Sequence, residues 1–297
     1  MHPRVVDSGW DNLCGGHAAL VRRPVPPRST LADPLEARTI ENLRKVGVDA
    51  LVPIGGENTL GVASRLSQAG VKLVGVPKTI DNDLGATDYC VGFDTAVNEV
   101  MRAIDRLHPT AEAQGRVMIV EVMGRDAGWI ATLGGLAGGA DIVLAPEFPF
   151  TIDEVCQRLR QRHEQGGREY SILVVGEGAS PEDFKGQIVQ DTDLDAFGHA
   201  KLGGIGHLLA LEIERRTGYQ TRVTVLGYTQ RGGSPSAFDR ILATRLGVRA
   251  VEEVAKGNFG VIVALQGTRI VPVRIQAAVA QVRRTDPELY AMTRLFA

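Results

Sequence analysis

The sequence predicts an α/β protein built on mostly parallel, doubly wound sheets. Short apolar runs without polar alternation recur along the chain, as expected of strands buried on both faces, and helical patterns fall between them. The residues with the richest chemistry follow directly after the apolar runs. Ligands of doubly wound sheets bind in that position, beyond the carboxyl ends of the strands.

Taken in order, the first helix is expected from Pro34, with Asp33 as its N-cap. LEARTIENLRKVG carries apolar residues at helical spacing and stops at Gly47. Strands are expected at ALVPI (50–54), LVGV (73–76), VMIVEV (117–122), DIVLA (141–145), SILVV (171–175), VTVLG (223–227) and VIVAL (261–265). GGENTLG turns the first of these into a helix beginning near Asn58 or Thr59, and Met123-Gly124-Arg125 is expected to open another. TIDEVCQRLRQRH starts a helix with Thr151 and Glu154 at capping-box spacing. The first 32 residues, rich in glycine, arginine and proline, read as loop or remnant.

A chain of 297 residues accommodates two modest domains or one large one. Hydrophobic content of 44%, charged content of 23% and a net charge of -2 give no electrostatic reason to expect nucleic acid or an anionic membrane. A small-molecule ligand is the expectation. Three scattered cysteines without CxxC spacing fit a reduced, cytoplasmic chain, and no apolar run has the length of a membrane span.

Two junctions carry chemistry in their residues. After ALVPI, Gly55 and Gly56 let a ligand approach the main chain, and a helix N-terminus attracts phosphate. Glu57 at such a place calls for a cation such as Mg²⁺ between it and the anion. A plain strand-to-helix turn would use the same two glycines. In PKTIDND, Asp81 and Asp83 flank Asn82, so in extended chain they point the same way, one to take a proton and the other to help hold a metal. Lys78 supplies a compact positive charge for phosphate oxygens. A solvated Asn/Asp turn is the competing explanation. Further strand ends carry Arg125, Glu177 and Arg231, while Arg116 and Arg222 precede or open strands.

With GGENTLG, PKTIDND, EVMGRDAGW and VLGYTQRGGSPSAFDR in this order, residues 36 to 297 resemble the bacterial-type 6-phosphofructokinases. The resemblance implies phosphoryl transfer from ATP, or alternatively pyrophosphate, to the 1-hydroxyl of fructose 6-phosphate. It implies that Asp81 is the base, with Thr79 and Asp83 beside it and Arg125 near the transferring group. Glu57 would sit at the Mg²⁺ site, where many relatives have aspartate. Met123, Gly124, Arg125 and Glu177 would surround the sugar, and Arg231 and Tyr228 the 6-phosphate. The position of Tyr228 is usually histidine, and tyrosine offers one neutral hydrogen bond in its place. Arg116 and Arg222 would reach the phosphate of a neighbouring subunit, in a dimer or tetramer with shared sites. Donor contacts would come from Gly55, Gly56, Asn58, Thr59, Lys78 and Arg23.

Glycine at the position of Asn58 accompanies ATP in the family and aspartate accompanies pyrophosphate; asparagine is neither. The resemblance divides the chain into a donor and metal domain (1–92 plus 230–280) and a sugar-phosphate domain (93–229 plus 281–297). It makes the first domain incomplete, because relatives begin with a further strand and a GGD-type loop. CGGHAALVRR would match a later family segment. On that expectation the chain is a truncated gene product or a sugar-phosphate-binding paralogue, if it is not itself an active kinase. A lipid or NAD kinase would leave PKTIDND and QRGGSP unexplained.

Overall fold

The computed structural model describes residues 34–165, 167–183, 189–194 and 200–296. Asp33 and Arg23 lie outside the described residues. The first helix, α1, is Pro34–Val46 and ends at Gly47, whose φ of 75° suits glycine.

Two four-stranded sheets follow. The first has the order β1 (Ile54–Gly55), β2 (Val74–Pro77), β9 (Val261–Gln266), β10 (Arg269–Arg274). The second has the order β4 (Ile142–Leu144), β5 (Ser171–Gly176), β3 (Val117–Val122), β8 (Thr221–Val225). All pairings within them are parallel except β9 with β10. A separate antiparallel ribbon joins β6 (Val189–Leu194) to β7 (Ala200–Leu202).

Both four-stranded sheets are covered on each face, which is why their strands read as unbroken apolar runs. Along β9, Ile262 and Ala264 face α2 (Glu57–Gln68) with Leu60 and Leu66, while Val261, Val263 and Leu265 face α7 (Ala237–Ala255) with Leu242 and Leu246. In the second sheet Met118, Val120 and Val122 pack toward α3 (Phe93–Gln114) and α4 (Trp129–Ala137). Val117 and Ile119 pack toward α5 (Ile152–Arg160) and α6 (Ile205–Thr217). The two-residue period of the strand sorts one apolar run into two cores.

The expected capping box at Thr151 and Glu154 is present on both sides of the turn. Three local expectations are corrected. The helix after GG begins at Glu57, capped at Gly56, one residue before Asn58. Met123-Gly124-Arg125 opens no helix: Gly124 and Arg125 have φ of 144° and 52°, and α4 starts only at Trp129. A helix cannot pass through two successive left-handed residues. Strand β8 ends at Val225, and Gly227–Arg231 form a 3₁₀ turn instead. The strand β10 was not foreseen. It carries Pro272, which an edge strand tolerates.

The chain is completed by α8 (Ile275–Val279) and α9 (Pro287–Met292), with Tyr290 donating from its hydroxyl to the Val143 carbonyl at 2.9 Å. No helix among the described residues is long and apolar enough to cross a membrane.

Helices α3 and α4 approach closely because α4 is glycine-bearing at the contact. A Cβ on Gly134 would lie 2.6 Å from Val100 Cγ1. Gly134→Ala should therefore overpack this contact and cost about 1–3 kcal/mol. The check is urea unfolding, with a lower midpoint at unchanged slope; an unchanged midpoint would mean that the helices separate freely.

Candidate active site

The first sheet supplies two of the loops at its carboxyl edge. Between β1 and α2, Gly55 and Gly56 are required by the chain itself. A Cβ on Gly55 would fall 2.4 Å from Thr59, and one on Gly56 3.1 Å from Thr79. These glycines thus pack the β1–α2 turn against its own helix and against the next loop. The Lys78 amide donates to the Gly55 carbonyl at 2.9 Å, holding the two loops side by side. Glu57, Asn58 and Thr59 occupy the first turn of α2, half-buried, with the glutamate at the positive end of the helix. The Lys78 side chain is exposed.

The expected extended arrangement of Asp81 and Asp83 is not what the chain adopts. Asn82 sits between them at φ 53°, a left-handed position that asparagine visits more readily than most residues. Its side chain is 1% exposed and is fully used: Nδ2 donates to the Asp88 carbonyl at 3.2 Å and Oδ1 accepts from the Cys90 amide at 2.9 Å. The turn is an Asn/Asp turn, but a buried one. Both acids are held in it, and the Asp83 carbonyl accepts from the Arg283 amide at 2.7 Å.

Thr79 brackets Asp81. Its hydroxyl donates to Asp81 Oδ2 at 3.2 Å and accepts from the Asp81 amide at 3.1 Å. The other oxygen, Asp81 Oδ1, is buried without a hydrogen-bond partner, and so is Asp83 Oδ1. Burial, and then the neighbouring Asp81 and Glu57 charges, push the Asp83 carboxyl up to about 7, against the pull of its own backbone and of Arg125. Two buried acceptor oxygens left without donors, one on Asp81 and one on Asp83, fit a cation. Among the described residues no group of three or more His, Cys, Asp and Glu converges on one point. Magnesium does not require one, since it keeps several waters and binds through one or two carboxylates plus substrate phosphate.

The second sheet supplies the facing loops. Glu177, just past β5, accepts at Oε1 from the amides of Gly124 and Arg125, at 3.3 and 3.1 Å. Burial raises its pKa, and these two amides oppose the rise. Gly178 lies so near that a Cβ there would come 2.0 Å from the Arg125 carbonyl. The Met123 amide donates to Gln230 Oε1 at 3.3 Å, which docks the 3₁₀ turn carrying Tyr228 and Arg231. Tyr228 is 83% exposed and Arg231 is exposed too.

Glu57, Lys78, Thr79, Asp81, Asp83, Met123, Gly124, Arg125, Glu177 and Arg231 thus follow the carboxyl ends of strands or the turns next to them. Arg116 and Arg222 do not. They stand at the amino ends of β3 and β8, where Arg222 is paired across the ladder with Met118. At about 3.3 Å per residue, Arg116 is roughly 20 Å along the strand from Met123. Asn82, Gln230, Gly178 and Arg283 build the site without having been singled out from sequence. Only Asn82 gave a local signal, as the middle of an Asp-Asn-Asp run.

A sequence model of the phosphofructokinase family, described as "Phosphofructokinase", matches residues 16–254. A pyrophosphate–fructose 6-phosphate 1-phosphotransferase of Amycolatopsis methanolica is 53% identical over 262 residues, covering 86% of this chain and 76% of that protein. An ATP-dependent 6-phosphofructokinase of Corynebacterium efficiens is 50% identical over 247 residues, covering 83% of this chain and 71% of that protein. Among solved structures, a pyrophosphate-dependent phosphofructokinase from Marinobacter aquaeolei matches with a TM-score of 0.72 at 27% identity, over 85% of this chain and 65% of that one. On its sequence and on its two parallel-sheet layers alike, the chain belongs to the phosphofructokinase family.

Proposed function

We propose that the protein transfers a phosphoryl group from ATP or pyrophosphate to the 1-hydroxyl of fructose 6-phosphate. The observation that carries this reading is the pair Asp81 and Asp83, each with a buried oxygen lacking a partner, within the electrostatic reach of Arg125 and of Glu57 in the β1–α2 turn. Relatives named for pyrophosphate and for ATP are about equally similar to this chain, at 53% and 50% identity.

In this reading Thr79 holds one oxygen of Asp81, and the other takes the proton from the sugar hydroxyl as it attacks. Arg125 faces the negative charge that spreads over the transferring phosphoryl group. Gly124 and Arg125 present the sugar-binding turn that Glu177 ties down, with Met123 beside it. Gly55, Gly56, Asn58, Thr59 and Lys78 border the donor phosphates. Glu57, helped by Asp83, would hold Mg²⁺, which when bound neutralises donor phosphate charge. Arg23 lies outside the described residues. Donor and metal residues then belong to the unit 1–92 plus 230–280, and the sugar-phosphate residues mainly to 93–229 plus 281–297.

Arg231 and Tyr228 would grip the 6-phosphate from within the chain. Arg116 and Arg222 are too far along β3 and β8 to join them, so we assign them to the site of a neighbouring copy in a dimer or tetramer. Free, buried Cys90 and Cys156 suit a reducing cytoplasm.

Purified protein with fructose 6-phosphate and Mg²⁺ should turn over with at least one of the two donors and stop on chelation. Silence with both donors from folded protein would overturn the reading. Asp81→Asn should lower kcat by about 10²- to 10⁴-fold, the usual worth of a general base, which is about 3–5 kcal/mol at ~1.4 per decade. Fructose 6-phosphate binding, measured by calorimetry, should persist. For the shared site, Asp81→Asn and Arg116→Ala chains, each inactive alone, should recover turnover when refolded together. No recovery in demonstrated mixed oligomers would place Arg116 outside the site.

A further inference from the structure

The exposed loop that carries Arg231 has little packing of its own: residues 231 to 235 are all exposed. What fixes its far end is a buried carboxylate. Asp239, in the first turn of α7, is 2% exposed. Its Oδ1 accepts from the Gly92 amide at 2.8 Å, and its Oδ2 accepts from the Thr95 amide at 2.8 Å and from the Thr95 hydroxyl at 2.5 Å. The same Thr95 hydroxyl accepts from the Ser236 amide at 3.0 Å, and Ser236 caps α7 by accepting from the Asp239 amide at 3.2 Å.

Helix α3 has no cap from its own residues, since Gly92 is its N-cap at φ 100°. Asp239 supplies that cap from 147 residues away. The other side of Gly92 leads straight back to the acids, because Asn82 Oδ1 holds the Cys90 amide two residues earlier. The short backbone stretch from Cys90 to Gly92, hydrogen-bonded to Asn82 at one end and to Asp239 at the other, thus connects the turn of Asp81 and Asp83 to Asp239, Ser236 and the Arg231 loop.

We infer that Asp239 is a positioning residue for the acceptor sugar: with Thr95 it sets the distance between the base at one end of the substrate and the phosphate-binding arginine at the other. This rests on the roles proposed above for Asp81 and Arg231. A sugar phosphate that must touch both ends is sensitive to that distance, since an error near 1 Å can cost about 100-fold in rate. The phosphoryl donor, bound between the β1–α2 and β2 loops, does not span it.

The test uses the full chain with Asp239→Asn, Thr95→Val and Thr95→Ser. Asparagine keeps one acceptor but turns an amide group toward donors, valine removes the hydroxyl, and serine keeps it. Asp239→Asn and Thr95→Val should raise the KM for fructose 6-phosphate at least about tenfold while the donor KM stays within about twofold. Thr95→Ser should behave as the parent does. A purely structural role would lower thermal stability and the active fraction and leave both KM values alone, which would overturn the inference.

Hydrogen exchange of peptides covering 86–96 and 230–238, without any substrate, separates the two readings. Faster exchange in both peptides for Asp239→Asn and Thr95→Val, but not for Thr95→Ser, is expected whether or not the parent phosphorylates the sugar. Parent protein that is inactive yet shows this pattern would sink the functional reading and keep the clamp. Unchanged exchange would sink the clamp itself.

Discussion

A carboxylate taken out of water has to be answered by something, and several of those among the described residues are answered by backbone amides. Glu121 receives the amides of Gly204 and Gly206 at the head of α6, Glu147 those of Gly128 and Thr285, and Glu177 those of Gly124 and Arg125. Asp141 combines the Ile172 amide with the Arg162 guanidinium. These acids fasten helix starts and loops to strands, and so they hold the two sheets' connections in place. Among the described residues Asp81 and Asp83 depart from that pattern, each keeping one buried oxygen with no donor. The rule that builds the scaffold is the one that makes this pair stand out.

Much of this was legible beforehand, because it depends on neighbours in sequence. Unbroken apolar runs such as VMIVEV and SILVV became strands buried on both faces, and Thr151 with Glu154 formed the box that its spacing announced. The acids and glycines at strand ends also gathered where a doubly wound sheet brings them. What failed was conformational detail inside turns. Asp-Asn-Asp was read as extended, yet Asn82 turns left-handed because its amide side chain finds Asp88 and Cys90, six and eight residues on. Met-Gly-Arg was read as a helix start, yet Glu177, from another strand, holds those amides in a different path. Ser236 with Asp239 marks a helix start, but nothing local tells where the Asp239 carboxylate goes, since its partners lie 144 and 147 residues away.

The same distinction separates two groups of arginines. Arg125 and Arg231 follow the carboxyl ends of strands, as the acids do, whereas Arg116 and Arg222 share the opposite end of β3 and β8. Strand direction alone decides this, because a parallel sheet has one chemically busy edge and a second edge a full strand length away. Identical side chains therefore carry different meanings according to which end of the strand they stand on.

The first sheet has unlike margins. At β10, Pro272 withholds an amide and arginines stand at both ends of the strand. At β1, only β2 is a partner among the described residues, and Val52 and Ile54 are 39% and 60% exposed. A proline and charges discourage a further strand, whereas an edge flanked by exposed aliphatic side chains invites one. Among the described residues, the side of this sheet suited to a further strand is therefore the β1 side.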